Sequence, residues 1–158
     1  MSKLGIALVQ ESAERVYPGE TASAAEIFAL AESYRDAAVA LRQCGRPGEP
    51  LTLEPFRLAA IHAVELYLNA LLVLEGQPAT VVRGLQHDLA ERAARVATLG
   101  LCLRKRTARH LRAMSAGREY LRTRYDPAAT RDLSQVNRLE ATLEEVRRKV
   151  AQKFVAGS

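Results

Sequence analysis

Three polar side chains on an otherwise apolar segment, residues 58–74, have the clearest chemical potential in this sequence. His62, Glu65 and Asn69 follow one another at spacings of three and four residues, so they share one face if the segment is a helix. Burying a glutamate or a histidine is costly unless a partner compensates it. The stripe therefore predicts either a structural polar cluster that fixes the helix register, or a site at a groove or a subunit seam.

A cation farther along the chain is the expected partner of this stripe. Arg118 lies on the apolar side of a helix predicted over residues 103–125, so it either extends its charge to water or pairs with a buried carboxylate, for which Glu65 is the candidate. His87, which opens the preceding helix, is expected to join the cluster or to cap that helix. The apolar side itself is formed by Leu103, Thr107, Leu111, Met114, Leu121 and Tyr125.

Apolar residues recur at helical spacing over five segments, and no strand pattern competes after residue 20. The first helix begins at the capping box Ser23–Glu26. The second, residues 52–75, is apolar on all sides and is therefore the central helix. The others are expected over residues 87–99, 103–125 and 133–154. For the first helix, the predicted core stripe is Ile27, Leu30, Tyr34, Ala37, Ala38 and Leu41.

These elements predict an all-α fold, an antiparallel up-and-down bundle of about five helices. Residues 1–20 are expected to be an N-terminal extension, and residues 21–156 a single domain. The chain has 158 residues, is 48% hydrophobic and has six prolines and nine glycines, which excludes disordered and collagen-like classes. An aromatic content of 5% without tryptophan disfavours a large β-sandwich or barrel.

Cys44 and Cys102 have neither metal-ligand nor redox spacing, and the three histidines leave little for zinc. We therefore expect no metal and no cofactor. Apolar runs after the N-terminus are too short for a membrane span. The sequence predicts a soluble, cytoplasmic protein without a membrane partner.

Positive charge is concentrated in one segment. Residues 104–131 contain nine basic and two acidic residues, a net charge of +7, whereas the whole chain carries +5. Such a segment suits a polyanion such as RNA. The alternative is an arginine-rich helix face that is merely solvated.

The order of three motifs resembles the HEPN family. The segment 59–76 is similar to the hallmark helix of that family, although Asn69 stands where many members carry lysine. His87-Asp88-Leu89 and then Arg124-Tyr125 followed by Pro127 match the two later motifs. The resemblance covers roughly residues 56–127. It implies an all-α bundle that forms a homodimer with a cleft at the seam, in which these polar motif residues contribute to binding.

Activity within the family varies. Many members are ribonucleases of defence or toxin–antitoxin systems, some act with a separate nucleotidyltransferase, and others are non-catalytic binding domains. The ribonuclease members carry an arginine and a histidine separated by four to six residues near the start of the fourth helix. Arg104 and His110 satisfy that spacing here, but Lys105 replaces the small polar residue that usually follows the arginine.

Three functional hypotheses follow. The first is a non-catalytic or weakly catalytic dimer that binds a nucleotide, a nucleic acid or a partner protein such as an antitoxin. The second is a metal-independent ribonuclease in which His110 transfers protons and Arg104 stabilises phosphate charge. The third is a purely structural helical dimer whose polar stripe only fixes the helix register.

Overall fold

Helices and their connections make up residues 16–157, the part of the chain that the computed structural model describes, and no strand occurs among them. The all-α class is therefore confirmed. Five α-helices have ten or more residues, and two, α3 and α6, are shorter. Most of the expected N-terminal extension, residues 1–15, lies outside the described residues. The α-helices are α1 (Ala24–Arg42), α2 (Glu54–Leu74), α3 (Ala79–Gly84), α4 (Leu89–Thr98), α5 (Lys105–Ala116), α6 (Glu119–Tyr125) and α7 (Val136–Ala156).

Helix α2 is the central helix, as its apolar surface predicts. It packs against α1, α7, α4 and α6, and Val64, Tyr67 and Leu68 are fully buried. The apolar runs in the sequence were expected to be too short for a membrane span, but Pro50–Leu74 is long and apolar enough to cross one, with a mean hydropathy of 1.5. Within the bundle, 67% of that window is buried. Such burial is typical of the core helix of a soluble protein.

Helix α1 begins as predicted but turns a different face to the core. The capping box is present, since Ser23 Oγ accepts from the Glu26 backbone N–H and Glu26 accepts from the Ser23 N–H. Ala31 and Ala38 are the fully buried residues, whereas Leu30 is 48% exposed and Tyr34 39% exposed. Ala38 is part of the predicted stripe and is buried as expected, but Ala31 is not part of it, so the buried face is shifted around the helix from Leu30 and Tyr34 towards Ala31. Alanines lie against α2 because they let two helix backbones approach closely.

The predicted helix over residues 103–125 is interrupted. Helix α5 ends at Ala116, and Arg118 adopts a left-handed conformation with φ of 51° before α6 begins. The break resets the helical phase, so side chains beyond it do not continue the α5 stripe. As a result Arg118 is exposed rather than core-facing, and Tyr125 is 75% exposed rather than buried. Both expectations were wrong for that reason.

Glycines follow the C-terminal ends of α2 and α4. Gly76, after α2, and Gly100, after α4, have φ of 84° and 88°, a left-handed region that glycine adopts without a steric penalty. Asp88 begins α4 as its N-cap, because its Oδ1 accepts from the Glu91 N–H at 2.9 Å. The loop between α3 and α4 thereby brings His87 against α2.

Candidate functional site

The polar stripe of α2 is joined to α4 through one buried arginine. Arg92 is 1% exposed, and its Nε donates to Asn69 Oδ1 at 2.7 Å. Its Nη2 lies 3.6 Å from Glu65 Oε1, and its Nη1 donates to the carbonyl oxygens of Leu85 and Asp88. Burial lowers the pKa of the Arg92 guanidinium, and the carboxylates of Glu65 and Asp88 oppose that shift. The arrangement holds a charged network inside the bundle.

Glu65 therefore pairs with Arg92 and not with Arg118, which corrects the sequence expectation. The signal for Arg92 was present in the sequence. It falls on the stripe of Leu89, Ala93 and Val96, the buried side of α4. The reasoning that selected Arg118 as a core-facing cation applies to Arg92, whose helix is not interrupted.

His87 connects this network to the surface. Its Nδ1 lies 3.1 Å from Glu65 Oε2, and its ring stacks against Tyr120 of α6 with centroids 4.5 Å apart. The side chain is 39% exposed. A carboxylate that engages one imidazole nitrogen orients the ring and leaves Nε2 for a ligand.

A surface groove of about 680 Å³ lies over His87. Residues 84–88, the start of α4, the end of α5 and the start of α6 line it. Gln86 and Arg118, the two described non-glycine residues with positive φ, are both among the lining residues. A left-handed conformation costs a non-glycine residue roughly 1–2 kcal/mol. Backbone strain of this kind concentrates at functional sites.

The other predicted cluster residues lie around this core. Burial lowers the pKa of His62, whose ring packs edge-on against Tyr34 at 4.5 Å, and Arg124 lowers it further while Glu65 opposes the shift. Asp88 Oδ1 also accepts from Ser115 Oγ at 3.1 Å, which ties α4 to α5. The side chains of Arg124 and Tyr125 are exposed at the end of α6 and form no hydrogen bond or ion pair with the described residues.

Arg104 and His110, considered above as a catalytic pair, each contact α7 and do not contact each other. Arg104 is the exposed N-cap of α5, and its backbone N–H donates to the buried Glu145 carboxylate on α7 at 2.7 Å. His110 is 6% exposed, and its Nδ1 lies 2.7 Å from Thr142 Oγ1 on α7. Burial, with smaller contributions from Arg138 and Arg57, lowers the pKa of His110 to about 4. In this conformation His110 is a neutral core residue, and no contact joins it to the Arg104 side chain.

The basic segment is exposed and almost free of acidic partners. Eight of its nine cations are exposed. Only Arg122 forms an ion pair with a described residue, Asp132, at 3.8 Å. Arginines elsewhere are mostly paired with carboxylates: Arg35, Arg42, Arg46, Arg57, Arg92, Arg95 and Arg147.

Three basic residues of this segment form a row on α5. Lys105, Arg109 and Arg112 follow at four and three residues, which places them on one side of the helix. We call them the basic face of α5. The opposite side, with His110 and Leu111, is buried. Among residues 16–157, no group of three or more histidine, cysteine or acidic side chains is arranged to hold a metal ion.

The candidate site thus consists of the groove over His87, the charged network beneath it and the basic face of α5 beside it. Comparison with family models, curated proteins and solved structures yields no match to this chain.

Proposed function

We propose that this protein is a HEPN-like, non-catalytic or weakly catalytic module that binds RNA in the cytoplasm as a homodimer. The unpaired cations of residues 104–131 carry the proposal. Surface arginines that lack carboxylate partners remain available to phosphate, and neutralising phosphates releases counterions. A helix face that is merely solvated would be stabilised by interspersed acidic residues. The ion-paired arginines elsewhere in the chain have such acidic partners.

Burial of His110 supports binding over catalysis. A general acid or base must reach the proton that it transfers. The His110 ring instead faces Thr142 and is 6% exposed. A ribonuclease mechanism through this residue would require the contact between α5 and α7 to open.

The salt dependence of RNA binding tests the proposal. For single-stranded RNA, each neutralised phosphate contributes about 0.7 to the slope of log affinity against log salt. Replacing Lys105, Arg109 and Arg112 together by glutamine should therefore reduce that slope by about 2. Fluorescence anisotropy with end-labelled RNA at several salt concentrations, without metal, measures the slope, and electrophoresis of the same samples shows whether the RNA stays intact.

A control variant separates the basic face of α5 from net charge. Replacing Arg46, Arg83 and Arg148 by glutamine removes the same charge from exposed positions outside residues 104–131. We expect that variant to keep nearly the wild-type slope. Equal losses in both variants would assign the binding to overall charge. RNA shortened by wild type but not by His110→Ala would replace the binding module with a ribonuclease.

The homodimer is supported by the exposed apolar side of α1. Leu30 and Tyr34 lie four residues apart on that side and are both exposed. We expect light scattering to give the mass of two chains for wild type and of one chain for Leu30→Glu. Val39→Glu, on the other flank of the buried stripe and 45% exposed, should remain dimeric. A monomeric wild type would contradict the dimer, and a dimeric Leu30→Glu would place its interface elsewhere.

A further inference from the structure

The groove over His87 carries two unpaired cations, whereas an internal phosphodiester carries a single negative charge. Arg112 and Arg118 line it, are exposed and have no acidic partner among residues 16–157. Each guanidinium presents a planar fork that binds phosphate oxygens bidentately. His87 also lines the groove, and its Nε2 is a further nitrogen that could contact a phosphate, since its Nδ1 faces Glu65. An internal phosphodiester has two free oxygens and one charge, whereas a phosphomonoester has three free oxygens and a charge near −2 at neutral pH.

Of the two carboxylates that line the groove, Glu91 is ion-paired, and Asp88 accepts hydrogen bonds from neutral groups only. Asp88 Oδ1 accepts from the Glu91 N–H and from Ser115 Oγ, and Glu91 pairs with Arg95 at 2.9 Å. Glu65 lies beneath the groove, with 11% of its side chain exposed, and faces Arg92 and His87. The cations that remain without a partner at the groove are therefore Arg112 and Arg118.

The position of the groove links it to the RNA surface. Arg112 belongs both to the groove lining and to the basic face of α5, so the row of cations leads into the groove. A strand that follows Lys105 and Arg109 would bring its end or its next phosphate to Arg112. The left-handed backbone conformation of Arg118 fixes the direction in which its side chain leaves the backbone.

We propose that this groove is a phosphomonoester site that receives the terminal phosphate of a bound RNA. Arg112 and Arg118 neutralise the phosphate, and His87, oriented by Glu65, donates a hydrogen bond to it from Nε2 when both ring nitrogens carry a proton. The inference rests on the proposed RNA binding and adds a preference for the state of the RNA end. A free nucleoside monophosphate carries the same group and would occupy the same donors.

The test compares one RNA sequence with a 5′-phosphate, a 3′-phosphate or hydroxyls at both ends. Wild type should bind one of the phosphorylated forms about tenfold more tightly than the hydroxyl form, as expected for new charge-assisted hydrogen bonds. In the double variant Arg112→Gln/Arg118→Gly this preference should fall to about twofold or less. Glycine suits the left-handed backbone at position 118, and a thermal melt of the variant verifies its folding.

A matched double variant, Arg106→Gln/Arg131→Gln, removes two exposed unpaired cations that do not line the groove. It should bind all three RNAs more weakly but keep the tenfold preference. Equal wild-type affinity for the three RNAs would overturn the phosphomonoester site and leave RNA binding intact. A preference that survives the groove variant would likewise overturn it.

Competition identifies the source of the phosphate. If millimolar inorganic phosphate or a nucleoside 5′-monophosphate removes the preference, the groove recognises a phosphomonoester by itself. If neither competes while the groove variant loses the preference, the site takes the phosphate only as part of an RNA end. Failure of wild type to bind any of the three RNAs, at low salt as well, would overturn the proposed function together with this inference.

Discussion

Replacing Glu65 by alanine is expected to lower the free energy of unfolding by about 3 kcal/mol, because it leaves the Arg92 guanidinium buried without its paired carboxylate. Arg92 is 1% exposed, so water cannot replace the lost partner. Asn69 and two carbonyl oxygens continue to accept its hydrogen bonds, but none of them carries a charge. Urea denaturation at neutral pH and constant ionic strength measures the change.

A double-mutant cycle attributes this loss to the pair. Arg92→Met removes the charge while keeping an unbranched side chain of similar length. When Glu65→Ala and Arg92→Met are combined, the total loss should be smaller than the sum of the two single losses by at least about 1 kcal/mol. The same cycle with Arg118→Met should be additive, because Arg118 is exposed on a different segment. Additivity in both cycles would show that Glu65 is stabilised by neither arginine.

The two cycles also mark where sequence reasoning about the site succeeds and fails. The spacing of His62, Glu65 and Asn69 is sufficient to predict a polar stripe on a buried helix, because helical geometry fixes which side chains share a face. Glu65 and Asn69 do reach one partner, and His87 joins them as expected. Periodicity places Arg92 on the buried side of α4, and it also placed Arg118 on a buried side because it does not show the break after Ala116. The choice between the two cations therefore depends on that backbone break.

One helix interruption accounts for the unexpected exposure of Arg118 and Tyr125. The central position of α2 and the cap Ser23 were predicted, because they depend on hydrophobicity and on local sequence. The N-cap of α4 is Asp88, whereas His87 was considered for that role in the sequence. The left-handed residue Arg118 was not predicted, since arginine rarely adopts positive φ and carries no turn signal of its own. Gly117 precedes it, but an isolated glycine inside a helical pattern is often tolerated. One unpredicted backbone conformation therefore moved Arg118 and Tyr125 from the expected core to the surface.

The side of α1 that faces the core depends on how closely two helices pack. Leu30 and Tyr34 are larger than Ala31, so hydrophobicity alone assigns them to the core together with Ala38, which is buried as predicted. The close approach of α1 to α2 favours the alanine side instead. The apolar residues left outside are consistent with the proposed second copy of the chain, whose surface the sequence pattern of one chain does not reveal.

Acidification is expected to destabilise the fold through His110. The pKa of this residue is about 4 in the folded chain, because burial and the nearby cations disfavour its protonated form. In the unfolded chain the ordinary value is about 6.5. Between these two values the unfolded state binds more protons, so the free energy of unfolding decreases as the pH falls through this window. Complete loss of this contribution, reached below pH 4, amounts to about 3 kcal/mol.

His110→Asn provides the matched variant, since its side-chain amide can replace Nδ1 as the hydrogen-bond partner of Thr142 and does not titrate. Urea denaturation of both proteins from pH 7 to pH 4 should show a steeper loss for wild type, and the difference between the two curves should reach about 2–3 kcal/mol at pH 4. Other titrating groups, including His62 and the buried carboxylates, contribute to both curves and cancel in the difference. Parallel curves would mean that His110 is solvated in the folded state, which would restore it as a residue accessible to RNA. A pH-dependent difference would instead show that α5 and α7 keep it neutral in the core, which leaves the basic face and the groove as the surfaces proposed to contact RNA.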